Sequence, residues 1–139
     1  MVYDRFTQTA GGQSLLDTAL FPNPSLALGL ALESRNLRFV GVASTTANGG
    51  NAPVIFAPSP FEGGSSYSHF DEATYPAGNP NSLMTPYLDL AEAIHAPGPL
   101  GLGLLKDIGW RLSSRMRGAA LPSTAPSCSS SRPETVAVK

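Results

Sequence analysis

The chain has 139 residues, of which 14% are charged, and its formal net charge is −1. This length accommodates one domain of ordinary size at most, and the nearly balanced charge argues against a basic nucleic-acid-binding protein. No transmembrane segment is expected, because the longest nearly apolar run, residues 26–32, is far too short to span a bilayer. The single cysteine, Cys128, excludes an intrachain disulfide framework and a cluster of thiolate metal ligands.

Charge is distributed unevenly along the chain. Residues 1–110 carry four basic and nine acidic side chains, a net charge of −5, whereas residues 111–139 carry five basic and one acidic, a net charge of +4. The second stretch contains residues 123–132 (STAPSCSSSR), whose few apolar groups cannot offset the entropy lost on ordering. We therefore expect an ordered unit over residues 1–110 and a disordered, basic, Ser/Pro-rich tail over residues 111–139, with at most a short helix near residues 112–117.

The first predicted element is a short helix that follows the turn at residues 22–25. Its four leucines alternate with smaller residues, as in a strand, but the alanines and the sequence up to Arg35 favour a helix that begins at Leu26. Asn23 or Ser25 could cap the N-terminus of this helix.

Two short strands are predicted next. Residues 37–42 (LRFVGV) alternate between apolar and other residues, and residues 53–57 (PVIFA) are apolar and bounded by prolines. The segment between them, residues 44–52 (STTANGGNA), is predicted to be a loop. The two strands could pair as a hairpin across this loop or lie in one small sheet.

A terminal helix is predicted over residues 99–110 (PLGLGLLKDIGW), where large apolar residues recur at helical spacing. Pro99 suits the first turn of a helix, and Gly109 suits the position after its end. Gly101 and Gly103 weaken the helix and indicate close packing against another element. The fold class expected from these elements is α+β, rich in loops, with a short two-stranded element and a terminal helix.

A long irregular stretch, residues 61–99, separates the strands from the terminal helix. It is dense in Gly, Pro, Asn and Ser, yet it holds too many aromatic and aliphatic residues for a simple disordered segment. It also contains both histidines of the chain, His69 and His95. A lone histidine in a loop is more often a packed or polar residue than a metal ligand, so residue chemistry alone leaves the function open.

Three segments carry a resemblance to a known family. Residues 63–70 (GGSSYSHF) resemble a G-S-S-x-S-H-aromatic segment, residues 81–86 (NSLMTP) an N/D-x-L-M-x-P turn, and residues 104–110 (LLKDIGW) a closing helix that ends in D-[IL]-G-aromatic. Their order is similar to that in the C-terminal subdomain of the metzincin zinc metallopeptidases, most closely the leishmanolysin-like branch and related secreted bacterial enzymes. Residues 3–6 (YDRF) and 47–50 (ANGG) also look like bacterial relatives, so the resemblance covers most of the first 110 residues.

The resemblance implies a metzincin C-terminal subdomain and an enzyme that hydrolyses peptide bonds in proteins or peptides with zinc as its cofactor. His69 then corresponds to the third zinc ligand, and Met84 to the methionine of the Met-turn, which packs beneath the imidazoles without binding the metal. Zinc in such enzymes lowers the pKa of a bound water, and the glutamate of H-E-x-x-H takes its proton. Secretion is also implied by the family, although residues 1–12 do not resemble a signal peptide.

The H-E-x-x-H motif does not occur in this sequence, which therefore lacks the other two histidine ligands and the catalytic glutamate. We expect a missing N-terminal catalytic subdomain to provide them, so that this chain alone is inactive as a peptidase and binds zinc weakly or not at all. Two further hypotheses stay open at this point. One is a noncatalytic extracellular adhesion or binding module, and the other is an unselected gene fragment that does not fold stably.

Other polar residues of the irregular stretch receive no catalytic role from the resemblance. His95 matches no ligand position, and a structural or substrate-cleft role is expected for it. Tyr87 follows Met84 by three residues, whereas the oxyanion-stabilising tyrosine of some metzincins follows by two, so that role is not transferred. Three carboxylates could contribute oxygen ligands for calcium, but their spacing matches no known loop: Asp71, Glu72 and Asp89.

Overall fold

Three short antiparallel strands form the sheet of this small α+β fold. β1 comprises Thr7–Thr9, β2 comprises Leu37–Phe39 and β3 comprises Val54–Ile55, and they lie in the order β1–β2–β3. Alternation along β2 turns Leu37 and Phe39 to the same face, where both side chains are fully buried. The sheet therefore forms one wall of the hydrophobic core.

The sheet has three strands rather than the two that the sequence predicts. The additional strand, β1, has the sequence TQT, which lacks the apolar alternation typical of a half-buried strand. It pairs with β2 so that Thr7 lies opposite Phe39, and beside this pair Val40 N donates a hydrogen bond to Phe6 O over 2.8 Å. Tertiary pairing, rather than local propensity, therefore determines this strand.

The first helix, α1, comprises Leu26–Leu32 and confirms the helix predicted after the turn. Ser25 is its N-cap, because Leu28 N donates to Ser25 Oγ over 3.1 Å. The helix ends three residues before the predicted Arg35, which has a φ of 58° in the left-handed region. A residue in that region cannot continue a right-handed helix.

A second helix, α2, comprises Val42–Ala47, so the prediction of a loop over residues 44–52 is wrong for its first half. The sequence VASTTA contains three β-branched residues, which favour helices weakly. The carboxylate of Asp107 compensates, since it accepts hydrogen bonds of 2.8 Å from Ala43 N, Ser44 N and Ser44 Oγ. A carboxylate at a helix N-terminus satisfies free N–H groups and interacts favourably with the helix dipole. A residue more than 60 positions away therefore stabilises this helix.

The terminal helix, α3, comprises Gly98–Asp107 and confirms the predicted helix, with Pro99 in its first turn and Gly109 beyond its end at a φ of 102°. α3 packs directly against α2. Gly103 lies at the crossing, since a Cβ placed on it would lie 2.7 Å from Ser44 Cα. The predicted close packing is therefore confirmed at this glycine.

The computed structural model describes residues 1–113. The predicted tail over residues 111–139 lies outside this range from residue 114 onward. Most of the short helix expected near residues 112–117 therefore lies outside it as well. Within residues 1–113, no helix combines the length and the apolar character needed to cross a membrane.

Two helical glycines provide a matched pair of substitutions. Gly103→Ala should lower the free energy of unfolding by about 1–3 kcal/mol, because the added methyl group overlaps the backbone of α2. Gly29→Ala in α1 should raise it by about 0.5–1 kcal/mol, because a Cβ there meets nothing within 4 Å and alanine is the better helix former. Urea denaturation checks the opposite signs, and stabilisation by Gly103→Ala would contradict the packing of α3 on α2.

Removal of the carboxylate that caps α2 gives a second test of the helix pair. Asp107→Ala should lower the free energy of unfolding by about 2–3 kcal/mol, because three hydrogen bonds are lost and two backbone N–H groups lose their acceptor. The control is Asp89→Ala, an exposed residue whose carboxylate forms no hydrogen bond within the described residues; it should change the value by less than about 0.5 kcal/mol. Equal losses in the two variants, measured by urea denaturation, would contradict the capping role.

Candidate metal-ligand site

The segment that carries His69 lies along the outer edge of β3. Phe56 N donates to His69 O over 2.9 Å, and Asp71 N donates to Val54 O over 3.0 Å. Residues 69–71 therefore run antiparallel to the end of β3 and extend the sheet. This pairing fixes the position of the predicted zinc ligand within an otherwise irregular stretch.

Phe70, the central residue of this segment, connects His69 to the predicted Met-turn. Its side chain is buried and packs against the ring of Tyr75, with 5.7 Å between the ring centroids. Its backbone N–H donates to Met84 O over 2.8 Å, and Met84 is the last residue of a short 3-10 helix, Ser82–Met84. The residue that follows His69 is thus hydrogen-bonded directly to Met84, although 14 positions separate Phe70 from Met84 in the sequence.

The imidazole of His69 is half-buried and oriented by its Nδ1 atom. Nδ1 lies 2.9 Å from Ser65 O, and because a carbonyl oxygen only accepts, the proton of the neutral ring must be on Nδ1. Ser68 Oγ lies 3.1 Å from the same nitrogen, and this hydroxyl can donate to Gly64 O or Ser65 O, each 3.2 Å away, while it accepts from the ring. The Nε2 atom then keeps its lone pair.

This arrangement is typical of histidines that bind metals in proteins. A ligating histidine usually donates its other ring N–H to a backbone carbonyl, a carboxylate or a water, which fixes the tautomer and the direction of the ring. The bond between His69 and Ser65 O has this form. The donor chemistry of His69 therefore fits one ligand of a zinc site.

The turn at residues 81–86 is connected to α3 through a side-chain hydrogen bond. Asn81 Oδ1 accepts from Leu100 N over 3.0 Å, at the N-terminal end of α3. Leu100 is itself fully buried in the core. Ser82 Oγ lies within hydrogen-bond distance of two acceptors, Asn79 O at 2.9 Å and Glu92 Oε1 at 3.0 Å. The first two resembling segments are therefore hydrogen-bonded to each other, and the second is hydrogen-bonded to the helix that leads into the third.

Apolar side chains near the Met-turn are exposed. Met84 is 40% exposed, and Leu83, Tyr87 and Leu88 are exposed to the same degree or more. Tyr87 packs edge-to-face on Phe56, with 5.8 Å between the ring centroids. An exposed group of large apolar residues beside an oriented histidine is typical of a surface that contacts a partner or a substrate.

The hydroxyl of Tyr87 is bound to an acidic side chain. It donates to Glu62 Oε2 over 2.6 Å, and this hydrogen bond raises the pKa of Tyr87 because it favours the neutral phenol. The backbone N–H of Tyr87 donates to Glu72 Oε2 over 3.3 Å. Two carboxylates, those of Glu62 and Glu72, therefore orient this tyrosine.

Tyr67, two positions before His69, packs against a second tyrosine, Tyr3. Tyr3 and Tyr67 pack edge-to-face with 5.6 Å between their ring centroids. Burial is the main cause that raises the pKa of both, and for Tyr67 the value rises to about 12. Both hydroxyls are therefore protonated at neutral pH and available as hydrogen-bond donors.

His95 lies at a different place from His69. It is exposed and lines a cavity of about 740 Å³ together with Asp89 and Glu92, and neither His69 nor Met84 lines that cavity. Within residues 1–113, no group of three or more His, Cys, Asp or Glu side chains is placed so that it could hold a metal ion. Within residues 1–113, the segment of the predicted ligand is therefore joined to the turn at residues 81–86 through Phe70, while the other histidine, His95, lies elsewhere.

Comparisons of the chain with protein-family models, with curated proteins and with solved structures each found no match. The connection to zinc endopeptidases is therefore a proposal that depends on the three motifs and on the geometry around His69.

Sequence reasoning did not find the residues that orient His69. Ser65 and Phe56 act through backbone atoms, and a backbone contact does not depend on the identity of the side chain. The residue pattern therefore contained no signal for them. By contrast, the YDRF segment carries part of the family resemblance, and its residues Tyr3 and Asp4 are hydrogen-bonded to Tyr67 in the loop.

The tautomer of His69 is testable without any metal. At a pH where the imidazole is neutral, long-range ¹H–¹⁵N correlation should show the proton on Nδ1, because Ser65 O accepts it. His95 forms no side-chain hydrogen bond within the described residues and should show the Nε2–H form that free histidine prefers. A dominant Nε2–H form at His69 would contradict the orientation described above.

Proposed function

We propose that this chain is the C-terminal part of a zinc-dependent endopeptidase, in which His69 supplies the third zinc ligand and the Met84 turn packs beneath the metal site. The single observation that supports this most strongly is the hydrogen bond of 2.8 Å from Phe70 N to Met84 O. The proposed roles of His69 and Met84 require the two residues to lie close together, and this bond supports the proposal because it joins Met84 to the residue that follows His69.

The orientation of His69 is the second support. Its Nδ1–H is directed to Ser65 O, so Nε2 is the nitrogen available to a metal. Zinc held there would lower the pKa of a bound water and polarise the scissile carbonyl of a protein or peptide substrate. The remaining ligands and the proton-accepting glutamate would come from an H-E-x-x-H segment outside these 139 residues, since the motif is absent from them.

The chain's own residues then have limited roles. His69 would donate one lone pair, and the Met84 turn is hydrogen-bonded to the backbone of Phe70, the residue after His69. The exposed apolar side chains of Leu83, Tyr87 and Leu88 would contribute part of a surface that excludes water from the substrate. Tyr87 is held by Glu62 and does not present a free hydroxyl to a reacting carbonyl.

A fusion protein tests this role directly. A helix that carries H-E-x-x-H is joined to the full chain through a Gly/Ser linker of about 20 residues, which spans about 25 Å on average. Zn²⁺ binding is measured by calorimetry for the helix alone and for the fusion. The fusion should bind Zn²⁺ about ten-fold or more tightly, equivalent to about 1.4 kcal/mol, because a third ligand completes the site.

The two histidines of the chain provide matched variants of this fusion. His69→Ala should reduce the affinity to that of the helix alone, whereas His95→Ala should leave it unchanged. If the unsubstituted fusion and its His69→Ala variant bind Zn²⁺ equally, the proposal is wrong and the noncatalytic binding module becomes the better hypothesis. Peptidase activity of the unfused chain, lost with a chelator and in His69→Ala, would contradict the statement that its metal site is incomplete.

A further inference from the structure

The residue two positions before His69 has an unusual backbone conformation. Tyr67 has a φ of 71°, in the left-handed region that bulky aromatic residues rarely adopt. Such a conformation persists only where the surrounding contacts enforce it, and it is found preferentially at functional sites. The contacts of Tyr67 therefore indicate what this position does.

Every polar group of Tyr67 has a partner. Its N–H donates to Phe56 O over 2.8 Å, and its carbonyl accepts from Tyr3 Oη over 3.0 Å. Its own hydroxyl donates to Asp4 Oδ1 over 3.1 Å, and Thr7 Oγ1 lies 2.7 Å from the same oxygen. Apart from the bond to Phe56, all these partners belong to a set that we call the 3–7 clamp: Tyr3, Asp4 and Thr7.

The 3–7 clamp is anchored in the sheet. Thr7 is the first residue of β1, is fully buried, and lies opposite Phe39 of β2. The ring of Tyr3 also packs on Phe39, with 5.2 Å between the centroids. The clamp is therefore a rigid element that reaches across 60 or more positions of the sequence to hold Tyr67.

The position of Tyr67 determines that of His69 through Phe56. Phe56 O accepts from Tyr67 N over 2.8 Å, and Phe56 N donates to His69 O over 2.9 Å, so one residue of the sheet edge holds both. The left-handed turn at Tyr67 reverses the chain, and the His69 ring then meets Ser65 O, four positions earlier. A different φ at Tyr67 would move Ser65 away from the ring.

We infer that the 3–7 clamp positions the His69 imidazole by holding Tyr67 in its left-handed conformation. These residues are positioning residues, because they contact neither the imidazole nor the place where a metal would bind. The importance of this orientation for zinc rests on the proposed function, whereas the positioning itself depends only on the hydrogen bonds described above.

The experiment uses the full 139-residue chain and needs no metal. The Nδ1 proton of His69 is followed by ¹H–¹⁵N spectroscopy in Tyr67→Phe and Tyr3→Phe, each of which removes one hydroxyl from the network. Both variants should exchange this proton with water about ten-fold faster or shift the ring towards the Nε2–H form, because the bond to Ser65 O opens more often. Tyr3→Phe provides the result if Tyr67→Phe does not fold.

A third tyrosine separates positioning from general destabilisation. Tyr75→Phe also removes a hydroxyl hydrogen bond, of 3.1 Å to Asn48 Oδ1, but that bond lies outside the 3–7 clamp. Urea denaturation measures the stability of each variant, and Tyr75→Phe should leave the His69 signals unchanged. Asp4→Asn retains an acceptor oxygen for Tyr67 and should preserve the Nδ1–H signature, whereas Asp4→Ala should weaken it.

Unchanged His69 signals in both Tyr67→Phe and Tyr3→Phe, or an equal change in Tyr75→Phe, would overturn the inference. This outcome is distinct from failure of the proposed function. If the fusion protein does not bind zinc through His69 while Tyr67→Phe and Tyr3→Phe still change the His69 signals, then the positioning role is supported and the zinc role is wrong. If the fusion binds zinc through His69 and these two variants leave the His69 signals unchanged, then only the positioning role is wrong.

Discussion

The described structure depends on one short extended segment that is hydrogen-bonded on both sides. On one side, residues 69–71 pair with the end of β3 and with Phe56; on the other, Phe70 N donates to Met84 O. The side chain between these bonds, Phe70, is buried in the core. Since this segment contacts the sheet, the core and the Met-turn together, it orders an irregular stretch that has little regular secondary structure of its own.

Elsewhere in the fold, too, single polar side chains connect parts of the chain that are distant in the sequence. Asp107 caps α2 from the end of α3, and Asn81 joins the Met-turn to the start of α3. Within residues 1–113, no buried side-chain nitrogen or oxygen lacks a hydrogen-bond partner. A chain with helices of six to ten residues gains little from helix propensity alone, so these satisfied contacts between distant residues stabilise it.

The sequence predicted the elements that have a local signal and failed for those determined by distant partners. Ser25 has the chemistry of an N-cap, and Gly103 interrupts an apolar pattern, so α1 and the packing of α3 could be predicted. α2 could not, because its stabilising carboxylate is Asp107, and β1 could not, because its polar residues pair only once β2 is formed. For the candidate site, the roles of His69 and Met84 stay predictions, and the orientation of the histidine depends on a backbone oxygen that the residue pattern does not reveal.

The exposed side chain of Met84 is the feature of this fold on which the proposed function places a requirement. Met84 is 40% exposed although its backbone is held against Phe70. A large apolar side chain gains free energy when it leaves water, so a contact with another molecule or segment would stabilise such a side chain on its fixed backbone. The His69 ring likewise keeps one group free for a contact. Its Nδ1 is hydrogen-bonded to Ser65 O, while its Nε2 keeps a lone pair. One partner that brings imidazoles and apolar surface together, as the proposed zinc-binding helix would, provides both contacts at once.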